Sequence, residues 1–454
     1  MSEFVPVRLL ESDLSRPVAE VPALDPATGR RSSRAIELVR LHSRPLGLVN
    51  LDIGDGINAA EHARRIWDAL AQEIDEHLRA DGLEPEPGPS ASGLQSEGAP
   101  RCVQHQDEVL RKAPFISVVI STRDRPDVLK RAVGSLLAMD YPSFEVILVD
   151  NAPSTDATAQ LFDREFRHLR GIRYVREDRA GLSRARNRGV AEAEGEIVAF
   201  TDDDVVVDSH WLSGLAEGFH RAPHAGCVTG LVLPMELDTQ AQVWFEEFGG
   251  FGKGCRARIY DTGANRPDDV LFPYAAGKFG SGNNMAFRVD AVRAIGGFDP
   301  ALGAGSPTFG GEDLAAFVAV LRKGYALVYE PAAIVHHQHR RDYVGLRKHI
   351  YDCGVGLTAF LTKSIVDDPR SLLEFAAKVP FGLRYALSPS SAKNRRKREN
   401  YPGELTDIER RGMLIGPLAY LRARWRASSR GDGAAVMTPV RPPAERRTDE
   451  LRVG

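Results

Sequence analysis

From Pro114 onward, short apolar runs alternate with amphipathic segments, and no other feature of the sequence constrains the fold as strongly. Four of the runs have the length and composition of strands: "FISVVIS", "FEVILVD", "IRYVRE" and "EIVAFTDD". The segments between them, "RPDVLKRAVGSLLAM", "TDATAQLFDREF" and "SRARNRGVAEA", have helical character. Near-continuous apolar strands separated by helices are typical of a mostly parallel sheet covered by helices on both faces. The sequence therefore predicts an α/β fold.

The rest of the 454-residue chain divides by composition into four further segments. Residues 1–80 predict a small accessory α+β module, with a hairpin in "ELVRLHSRPLGLVNLDI" that turns near "RPLG" and a helix after it. Residues 81–113 are rich in Pro, Gly, Ser and Glu and predict a linker. The α/β domain covers 114–340, basic helices follow over 341–427, and a disordered tail is expected over 428–454.

Composition indicates a globular protein of the cytoplasm. Hydrophobic residues make up 43% of the chain and charged residues 27%, and no apolar stretch reaches the roughly 18–20 residues that span a bilayer. The N-terminus lacks the basic and apolar regions of a signal peptide. Four scattered cysteines form neither a CxxC pair nor a disulfide framework, which favours a reducing compartment. They are Cys102, Cys227, Cys255 and Cys353.

Charge is distributed unevenly along the chain. From Arg340 to the end there are 23 Lys and Arg against 13 Asp and Glu, a net charge of +10, so the preceding residues carry −13 of the overall −3. A basic C-terminal third is typical of a region that faces a membrane surface, an acidic substrate or nucleic acid. A solvated helical face followed by a tail explains the same charge without any partner.

Polar residues follow each of the four predicted strands. Ligands of such sheets bind outside the carboxyl ends of the strands, so these residues are expected to share one rim and to bind a ligand there. The third helix adds arginines near its start in "GLSRARNRG". The candidate ligand-binding residues are Ser121, Thr122, Arg123, Asp150, Asn151, Glu177, Arg184, Arg186, Asp202 and Asp203.

Three consecutive aspartates, Asp202 to Asp204, end the fourth strand. Adjacent carboxylates repel one another, and a divalent cation removes that repulsion. Carboxylates beside arginines fit a diphosphate together with Mg²⁺ or Mn²⁺, since these hard cations take carboxylate and phosphate oxygens. On an extended strand Asp202 and Asp204 point the same way, which predicts that this pair holds the metal.

Other classes explain the triple aspartate less well. A surface turn that caps the next helix is the simplest alternative. The segment "DDDVV" also satisfies the D-x-D-x-[TV] pattern of haloacid-dehalogenase-like phosphatases, but that motif ends the first strand of its domain and here three strands precede it. A dehydrogenase is disfavoured because "STRDRPD" after the first strand contains no glycine for a pyrophosphate turn.

The second half of the α/β domain supplies candidates for chemistry. Glu312 and Asp313 begin an amphipathic helix after a Gly/Ser/Pro loop, where a carboxylate can act as a general base or merely match the helix dipole. His336 and His337 follow the strand "YALVYEPAAIV". Adjacent residues of an extended chain face opposite ways, so at most one is expected in the site, and His336 is favoured as a metal ligand.

These motifs resemble a known family. From about Phe115 to Gly356 the chain is similar to bacterial inverting glycosyltransferases of family 2, which have the GT-A fold with a Rossmann-like, mostly parallel central sheet. The resemblance rests on seven segments that occur in the family's order: "VVISTRDRPDVLKRAVGSLL", "YPSFEVILVDNAPSTD", "GLSRARNRG", "VAFTDDD", "GSGNNMAFR", "GGFD" and "GGEDLAAFVAVLRKGY". The second of them has "DNAPSTD" where many members have "DDGSTD".

The resemblance implies a role for each matching residue. Thr122 and Asp150 would contact the nucleotide base, and Arg186 would lie near the nucleotide. Asp204 would hold the metal, with Asp202 on the ribose or the metal. Asp313 would be the catalytic base, with Glu312 beside it.

The implied activity is metal-dependent transfer of a hexosyl or related sugar from a nucleotide-diphosphate donor to an acceptor hydroxyl, with inversion at the anomeric carbon. Mn²⁺ or Mg²⁺ is the implied cofactor. The acceptor would be a saccharide, a lipid-linked sugar or a small molecule, in cell-envelope or surface polysaccharide, glycolipid or secondary glycoside synthesis. Nucleic acid is not an expected partner, and the basic C-terminal helices would contact anionic lipid at the inner face of the plasma membrane. A sugar-nucleotide-binding or glycan-binding protein that has lost turnover is the alternative.

Overall fold

The computed structural model describes residues 4–84, 88–94, 98–388, 390–391, 393–397 and 400–429. The predicted tail from residue 430 onward lies outside the described residues. The strands are β1 (Val7–Asp13), β2 (Val21–Pro22), β3 (Arg34–Leu41), β4 (Arg44–Asp52), β5 (Gly56–Ile57), β6 (Ile116–Thr122), β7 (Phe144–Asn151), β8 (Ile172–Glu177), β9 (Ile197–Asp202), β10 (Val205–Val207), β11 (Ala225–Pro234), β12 (Arg258–Tyr260), β13 (Met285–Arg288) and β14 (Ala326–His337).

Helices connect most of these strands. The helices are α1 (Ala59–Asp81), α2 (Arg101–Arg111), α3 (Pro126–Leu137), α4 (Ala157–Leu161), α5 (Leu182–Glu192), α6 (Trp211–Arg221), α7 (Gln240–Phe248), α8 (Val289–Ala294), α9 (Glu312–Arg322), α10 (Tyr343–Asp367), α11 (Ser371–Leu387) and α12 (Gly403–Ser429). A π-helical turn, Phe162–Phe166, continues α4. Local chemistry fixes several of the ends: Pro126 starts α3 at the position where a missing N–H costs nothing, and Thr239 and Gln242 form a capping box on α7.

The four strands predicted from the alternating pattern form a parallel block. Their order in the sheet is β9-β6-β7-β8, and each neighbouring pair is parallel. Within this block the buried side chains of β6 and β7 face helices on both sides, as a parallel sheet requires. The predicted α/β class, with a central sheet and helices on both faces, is confirmed.

The other half of the sheet is mixed rather than parallel. Beyond β9 the order continues β13-β11-β14-β10, and β12 pairs with β14. Only β11 and β14 are parallel in this half; β13 is antiparallel to both β9 and β11, and β10 and β12 are antiparallel to β14. Strand β13 pairs along β9, and β10 pairs with β14, which brings the end of β14 beside the turn that follows β9.

Two hydrophobic clusters cover the two faces of the sheet. One contains buried residues of α5, α8, α9, α10 and α12. The other contains buried residues of α2, α3 and α6, with Trp211 fully buried at the start of α6. Burial of this kind is the main stabilising contribution to such a sheet, because each strand is apolar on both faces.

Residues 7–81 form a separate small sheet with one long helix. Strand β3 pairs with β1 in parallel and with β4 in antiparallel orientation, and α1 lies on β4. The β3–β4 turn is at His42 and Ser43, just before the predicted "RPLG", and both residues have left-handed backbone angles, with φ of 54° and 64°. The apolar face of α1 (Ile66, Leu70, Ile74 and Leu78) is buried in the module's own core.

The segment predicted as a linker, 81–113, contains the helix α2. This helix packs against α6 of the α/β domain. The small sheet also contacts that domain directly, since Arg44 donates to both carboxylate oxygens of buried Glu217 at 2.5 and 2.8 Å. The N-terminal module therefore contacts the α/β domain through the Arg44–Glu217 ion pair and through α2.

The basic C-terminal region forms helices α10, α11 and α12. Helices α10 and α12 make extensive contact with each other, and their glycines allow close approach: a Cβ on Gly412 would lie 2.3 Å from the carbonyl oxygen of Tyr351. Large apolar side chains of α11 and α12 nevertheless remain exposed. Among the described residues, every helix is too short or too polar to cross a bilayer.

Candidate active site

The parallel block brings the predicted rim residues to one edge of the sheet. Thr122 at the end of β6 is the register partner of Asp150 on β7, and Ser121 is the partner of Asp202 on β9. The side chains that follow these strand ends therefore converge on one cleft, as the topology of a parallel sheet dictates.

The three aspartates do not alternate as an extended strand would. Strand β9 ends at Asp202, a turn holds the next two residues, and β10 begins at Val205. Asp203 is buried and accepts hydrogen bonds from the Thr122 hydroxyl at 2.7 Å and from Arg125 at 2.6 Å. Arg125 also donates to Asp204 at 3.2 and 3.3 Å. One arginine thus neutralises two of the three carboxylates.

Burial shapes the charge of this turn. Burial raises the pKa of Asp203 to about 6, although the positive charge of Arg125 opposes this shift. Burial raises the pKa of Asp202 as well. A bound cation would favour the ionised form of both groups. The Asp204 carboxylate contributes to the raised pKa of Asp202, which is the repulsion expected from the sequence. The pKa of Asp204 itself is lowered, because His337 and Arg125 outweigh the effect of burial.

The structure corrects the choice between the two histidines. The antiparallel pairing of β14 with β10 sets Val205 opposite His337 and Val206 opposite His336. As a result Nε2 of His337 lies 3.5 Å from Oδ1 of Asp204, whereas His336 points away and bonds to Glu11 of the N-terminal module at 2.8 Å. The ring beside the triple aspartate is therefore His337 and not the favoured His336, and metal binding by either ring stays a prediction.

A chain of polar contacts orients His337. Its Nδ1 lies 3.0 Å from Nδ1 of His339, and Nε2 of His339 lies 2.7 Å from Glu246 on α7. If His339 donates from Nε2 to the carboxylate, its Nδ1 accepts from His337, and Nε2 of His337 then presents a lone pair toward Asp204. Burial lowers the pKa of His337 to about 3, so the ring is neutral at pH 7.

Glu312 and Asp313 lie at a sharp corner before α9. Gly311 has φ of 88°, and a Cβ there would lie 2.4 Å from the carbonyl oxygen of Gly356, so only glycine fits. Oδ2 of Asp313 accepts a hydrogen bond from the backbone N–H of Gly282 at 2.9 Å. The side chain is partly exposed on the cleft. The corner and this bond fix the direction of the carboxylate.

Glu312 is buried instead and pairs with Arg186. The guanidinium of Arg186 donates to Oε1 of Glu312 at 2.8 Å and to the carbonyl of Gly282 at 3.0 Å, and it lies 3.5 Å from Asp202. Burial raises the pKa of Glu312, although Arg186 opposes the shift. Arg186 therefore ties the end of β9 to the corner that carries Asp313, and Glu312 supports that arginine.

Asp150 is the rim residue with an unsatisfied atom. It is fully buried, and its Oδ2 accepts from the Tyr174 hydroxyl at 2.8 Å, while Oδ1 has no hydrogen-bond partner. Burial raises its pKa. An unpaired buried carboxylate oxygen is costly, so a donor from a ligand would be favourable here.

Other predicted binding residues serve the surrounding loops. The amide of Asn151 donates to the carbonyls of Glu177 and Arg179 and accepts from Gly181, so it shapes the loop before α5. Glu177 accepts from the backbone and side chain of Arg179.

The remaining predicted residues differ in their exposure. Ser121 is partly buried, Arg123 is exposed and lies 3.7 Å from Asp124, and Arg184 is partly buried on α5. Nucleotide contacts by all these residues stay predictions.

Four residues of the site were not predicted from the sequence. They are Arg125, Tyr174, Glu246 and His339. "DRPD" immediately after a strand marked Arg125, and the segment "HHQH" marked His339 as a further imidazole near His337. Nothing local marked Tyr174 or Glu246.

With this geometry in place, comparison with known proteins identifies the domain. Residues 117–294 match the model of the family described as glycosyl transferase family 2. The chain contains a family 2 glycosyltransferase domain. The matched segment holds the rim residues and the triple aspartate, and Asp313 and His337 lie beyond it.

Curated relatives share parts of this glycosyltransferase domain. A glucosyl-dolichyl phosphate glucuronosyltransferase of Haloferax volcanii is 26% identical over 190 residues, 40% of this chain and 56% of that protein. A pre-mycofactocin glycosyltransferase of Mycobacterium tuberculosis is 26% identical over 239 residues, 52% of this chain and 46% of that protein. The match thus spans about half of each relative.

Among solved structures, the mannosyltransferase PcManGT from Pyrobaculum calidifontis, in complex with GDP-Man and Mn²⁺, is similar. The sequence identity is 17%, the TM-score is 0.44, and the match covers 75% of this chain and 88% of that one.

The donor set beside the triple aspartate fits a divalent cation. Asp204 offers a carboxylate and His337 a neutral imidazole 3.5 Å away, and Asp202 lies in the same electrostatic cluster. Mn²⁺ accepts both oxygen and imidazole ligands, whereas Mg²⁺ prefers oxygen alone. The residues present therefore suit Mn²⁺ better.

Proposed function

We propose that the protein is a metal-dependent, inverting glycosyltransferase that transfers a sugar from a nucleotide-diphosphate donor to an acceptor hydroxyl. The observation that carries the proposal is the convergence of Asp204, His337 and Asp202 with Asp313 across one cleft, joined by Arg186. Family membership of the domain supports the same conclusion.

The nucleotide base is assigned to the Asp150 end of the rim. Its free Oδ1 is suited to accept a hydrogen bond from a ring N–H of the base, and the bond from Tyr174 to Oδ2 holds the carboxylate in place for it. Uracil, thymine and guanine all carry such an N–H. This contact therefore fixes the orientation of the nucleotide without choosing between those bases.

The diphosphate is assigned to the Asp202–Asp204 turn. A bound divalent cation would be held by Asp204 and His337, with Asp202 available, and it would supply electrostatic stabilisation of the charge that develops on the leaving diphosphate. Arg125 donates to Asp204 as well, so a cation held by Asp204 would share that carboxylate with the guanidinium.

Asp313 is assigned as the general base. It lies in a partly exposed position, held by the Gly282 N–H, and a carboxylate there can accept the proton of an acceptor hydroxyl as that oxygen attacks the anomeric carbon. Attack from the face opposite the leaving group inverts the anomeric configuration in one displacement. Glu312 is buried against Arg186 and cannot reach an acceptor, so it is assigned a positioning role.

The C-terminal helices are assigned to a membrane surface. On α12 the exposed side chains of Leu414, Leu418, Leu421 and Trp425 follow one another at helical spacing. Arg410, Arg411 and Arg422 are exposed beside this stripe. An apolar stripe flanked by arginines is suited to lie in the headgroup region of an anionic bilayer, which would bring the cleft near a lipid-linked acceptor.

The exchange of Asp204 for asparagine tests the catalytic proposal. It removes the charged ligand and should abolish the Mn²⁺-dependent part of UDP and GDP affinity in calorimetry, together with turnover of the corresponding sugar donors. Asp178→Asn is the matched control, because Asp178 is an exposed acid on the same rim that pairs with Arg176. Unchanged Mn²⁺-dependent affinity in the Asp204 variant would contradict the assignment.

The same measurements separate the alternatives. A binding protein that has lost turnover would bind the nucleotide with Mn²⁺ but neither transfer nor hydrolyse the sugar. A phosphatase would instead form a phosphoenzyme on Asp202, which mass spectrometry of the intact chain would detect.

A further inference from the structure

Four potential metal ligands converge outside the catalytic cleft, in the N-terminal module. His42 lies in the β3–β4 turn. His77 and Asp81 lie one helical turn apart near the end of α1, and Cys102 lies at the start of α2. Three separate segments, spread over 60 residues, thus place an imidazole pair, a carboxylate and a thiol around one point.

The separations between the four donor atoms resemble the edges of a tetrahedron. Zinc–nitrogen distances near 2.05 Å and zinc–sulfur distances near 2.3 Å put two nitrogens about 3.3 Å apart and a nitrogen and a sulfur about 3.6 Å apart. Four of the six observed separations are within about 0.2 Å of these values, whereas those from Oδ2 of Asp81 to His42 and to Cys102 are shorter. The six separations are 3.2 Å for His42 Nδ1–His77 Nε2, 2.9 Å for His42 Nδ1–Asp81 Oδ2, 3.2 Å for His77 Nε2–Asp81 Oδ2, 3.7 Å for Cys102 Sγ–His42 Nδ1, 3.8 Å for Cys102 Sγ–His77 Nε2 and 2.9 Å for Cys102 Sγ–Asp81 Oδ2.

The four side chains share one point of contact. All four ligand atoms lie within 4.8 Å of one another, and Oδ2 of Asp81 faces the other three at once. The two imidazoles and the thiol can donate hydrogen bonds to this oxygen while they carry their protons, whereas after loss of the thiol proton and in the other imidazole tautomers they present lone pairs to one another. A single cation at the centre satisfies all four lone pairs together.

The backbone supports a specific requirement for His42. Its φ of 54° and the φ of 64° at Ser43 match a two-residue turn in which Asn-Gly is preferred. Non-glycine residues in the left-handed region are uncommon and carry a conformational cost, and histidine is among those found there more often. The side chain of His42 is almost fully buried in the cluster, so this turn conformation places the imidazole beside the other three ligands.

The other ligands are held in place as well. Oδ1 of Asp81 accepts from the backbone N–H of Cys102 at 2.9 Å, which locks the carboxylate against the first turn of α2. The side chain of Asp81 is 4% exposed, that of His42 8% and that of His77 14%, so the cluster is screened from solvent.

We propose that His42, His77, Asp81 and Cys102 bind one Zn²⁺ in a closed, structural site. A thiolate and imidazoles select zinc over the hard cations that suit the catalytic cleft. One thiolate and one carboxylate balance the charge of the ion. Because protein atoms take all four coordination positions, no position is left for water or substrate, and the zinc has a structural role rather than a catalytic one. It joins α2 to the module, and α2 packs on α6, so the ion fixes the N-terminal module relative to the glycosyltransferase domain.

The test uses the full chain, purified without a polyhistidine tag from zinc-supplemented medium. Mass spectrometry of metal content should find one zinc per chain. After removal of zinc by a chelator, titration with Co²⁺ should produce the absorption of tetrahedral cobalt and a thiolate-to-cobalt charge-transfer band at one equivalent. Chelation should also lower the melting temperature of the unmutated chain, a readout that needs no variant.

Variants assign the site. Cys102→Ser should lose the charge-transfer band, and His42→Ala should lose zinc. Cys255→Ser, a thiol outside the cluster, and Asp204→Asn, in the cleft, should both keep one zinc. The proposal is overturned if the full chain binds neither zinc nor cobalt stoichiometrically, if Cys102→Ser keeps the band, or if zinc is lost in the Asp204 variant instead.

Discussion

Replacing Arg186 by methionine would break the buried ion pair that joins the two halves of the active site. Arg186 is 2% exposed and Glu312 is 5% exposed, and they are bonded at 2.8 Å. Methionine keeps apolar contact with the rings of Phe200 and Phe298, over which the guanidinium lies. The substitution therefore removes the charge and the hydrogen bonds while it leaves most of the packing.

The cost follows from what remains after the change. Oε2 of Glu312 already has no hydrogen-bond partner, and the change would leave Oε1 without one as well. Removing one partner of a buried pair typically costs about 3–5 kcal/mol, because the other charge stays buried without compensation. The lost bond to the carbonyl of Gly282 adds to that cost. We expect a loss of about 3–5 kcal/mol at pH 8.

The loss should depend on pH in a defined direction. Burial raises the pKa of Glu312 above its ordinary 4.5, and Arg186 opposes the shift, so the variant has a still higher pKa. A raised carboxyl pKa gives a contribution to stability that is complete below pH 4.5 and is lost as pH rises through the folded-state pKa. The variant should therefore be penalised least near pH 4.5 and most above the raised pKa.

Urea unfolding followed by tryptophan fluorescence measures the loss from the midpoint and slope. Arg176→Met is the control, because its pair with Asp178 is exposed, and its midpoint should match that of the unmutated chain. The double variant Arg186→Met/Glu312→Met should recover most of the stability, since an apolar pair can replace a buried ion pair. A loss below about 1 kcal/mol that does not vary with pH would show that water reaches the pair, and the reasoning would fail.

Three further outcomes are expected. Asp313→Asn should keep Mn²⁺-dependent nucleotide affinity in calorimetry and lower the transfer rate by about 10²–10⁴-fold, the range for a general base; near-normal turnover would remove it from that role. Asp150→Asn should weaken nucleotide binding by about tenfold or more, because a charge-assisted hydrogen bond to the base is lost; equal affinity would move the base elsewhere. Leu418→Asp should reduce flotation with anionic liposomes at low salt, whereas Leu24→Asp, an equally exposed leucine of the N-terminal module, should not; an unmutated chain that does not float would end the membrane proposal.

The sequence was most informative about the parallel block. Three of its four strands, β6, β7 and β9, are buried along almost their whole length, and polar residues lie at or after the end of each, so both the sheet and its functional edge could be predicted. The pairing of Thr122 with Asp150 and of Ser121 with Asp202 follows directly from that topology. Glu312 and Asp313 were also placed correctly at the start of a helix.

The choice between His336 and His337 depended on long-range pairing that no local pattern contains. Between Gly230 and Leu231 the register of β11 against β14 shifts, since their partners are Glu330 and Ile334. Three extra residues of β14 are therefore accommodated in the middle of the strand, and the face of each later residue changes. The antiparallel pairing of the three-residue strand β10 with β14 then places His337, and not His336, beside Asp204.

The directions of the three aspartates differ from the expected alternation for a related reason. Alternation along a strand predicted that Asp202 and Asp204 would act together and that Asp203 would face away, but the strand ends at Asp202. In the turn, Asp203 is held by Thr122 and Arg125 and Asp204 is held by Arg125. Side chains alternate between the two faces of a sheet only within a strand, so this alternation does not predict the directions of residues that follow the end of the strand.

The C-terminal helices show that charge and packing divide this chain at different places. The predicted boundary near residue 340 follows the change from acidic to basic composition. Yet Phe360 of α10 and Tyr420 of α12 belong to the same buried cluster as Phe317 of α9. Gly311, whose left-handed backbone sets the corner before Asp313, lies against Gly356 of α10 so closely that neither residue has room for a side chain. The helix that carries the proposed base is therefore held by the basic region, and contact of that region with a membrane would act on a surface already packed against the catalytic corner.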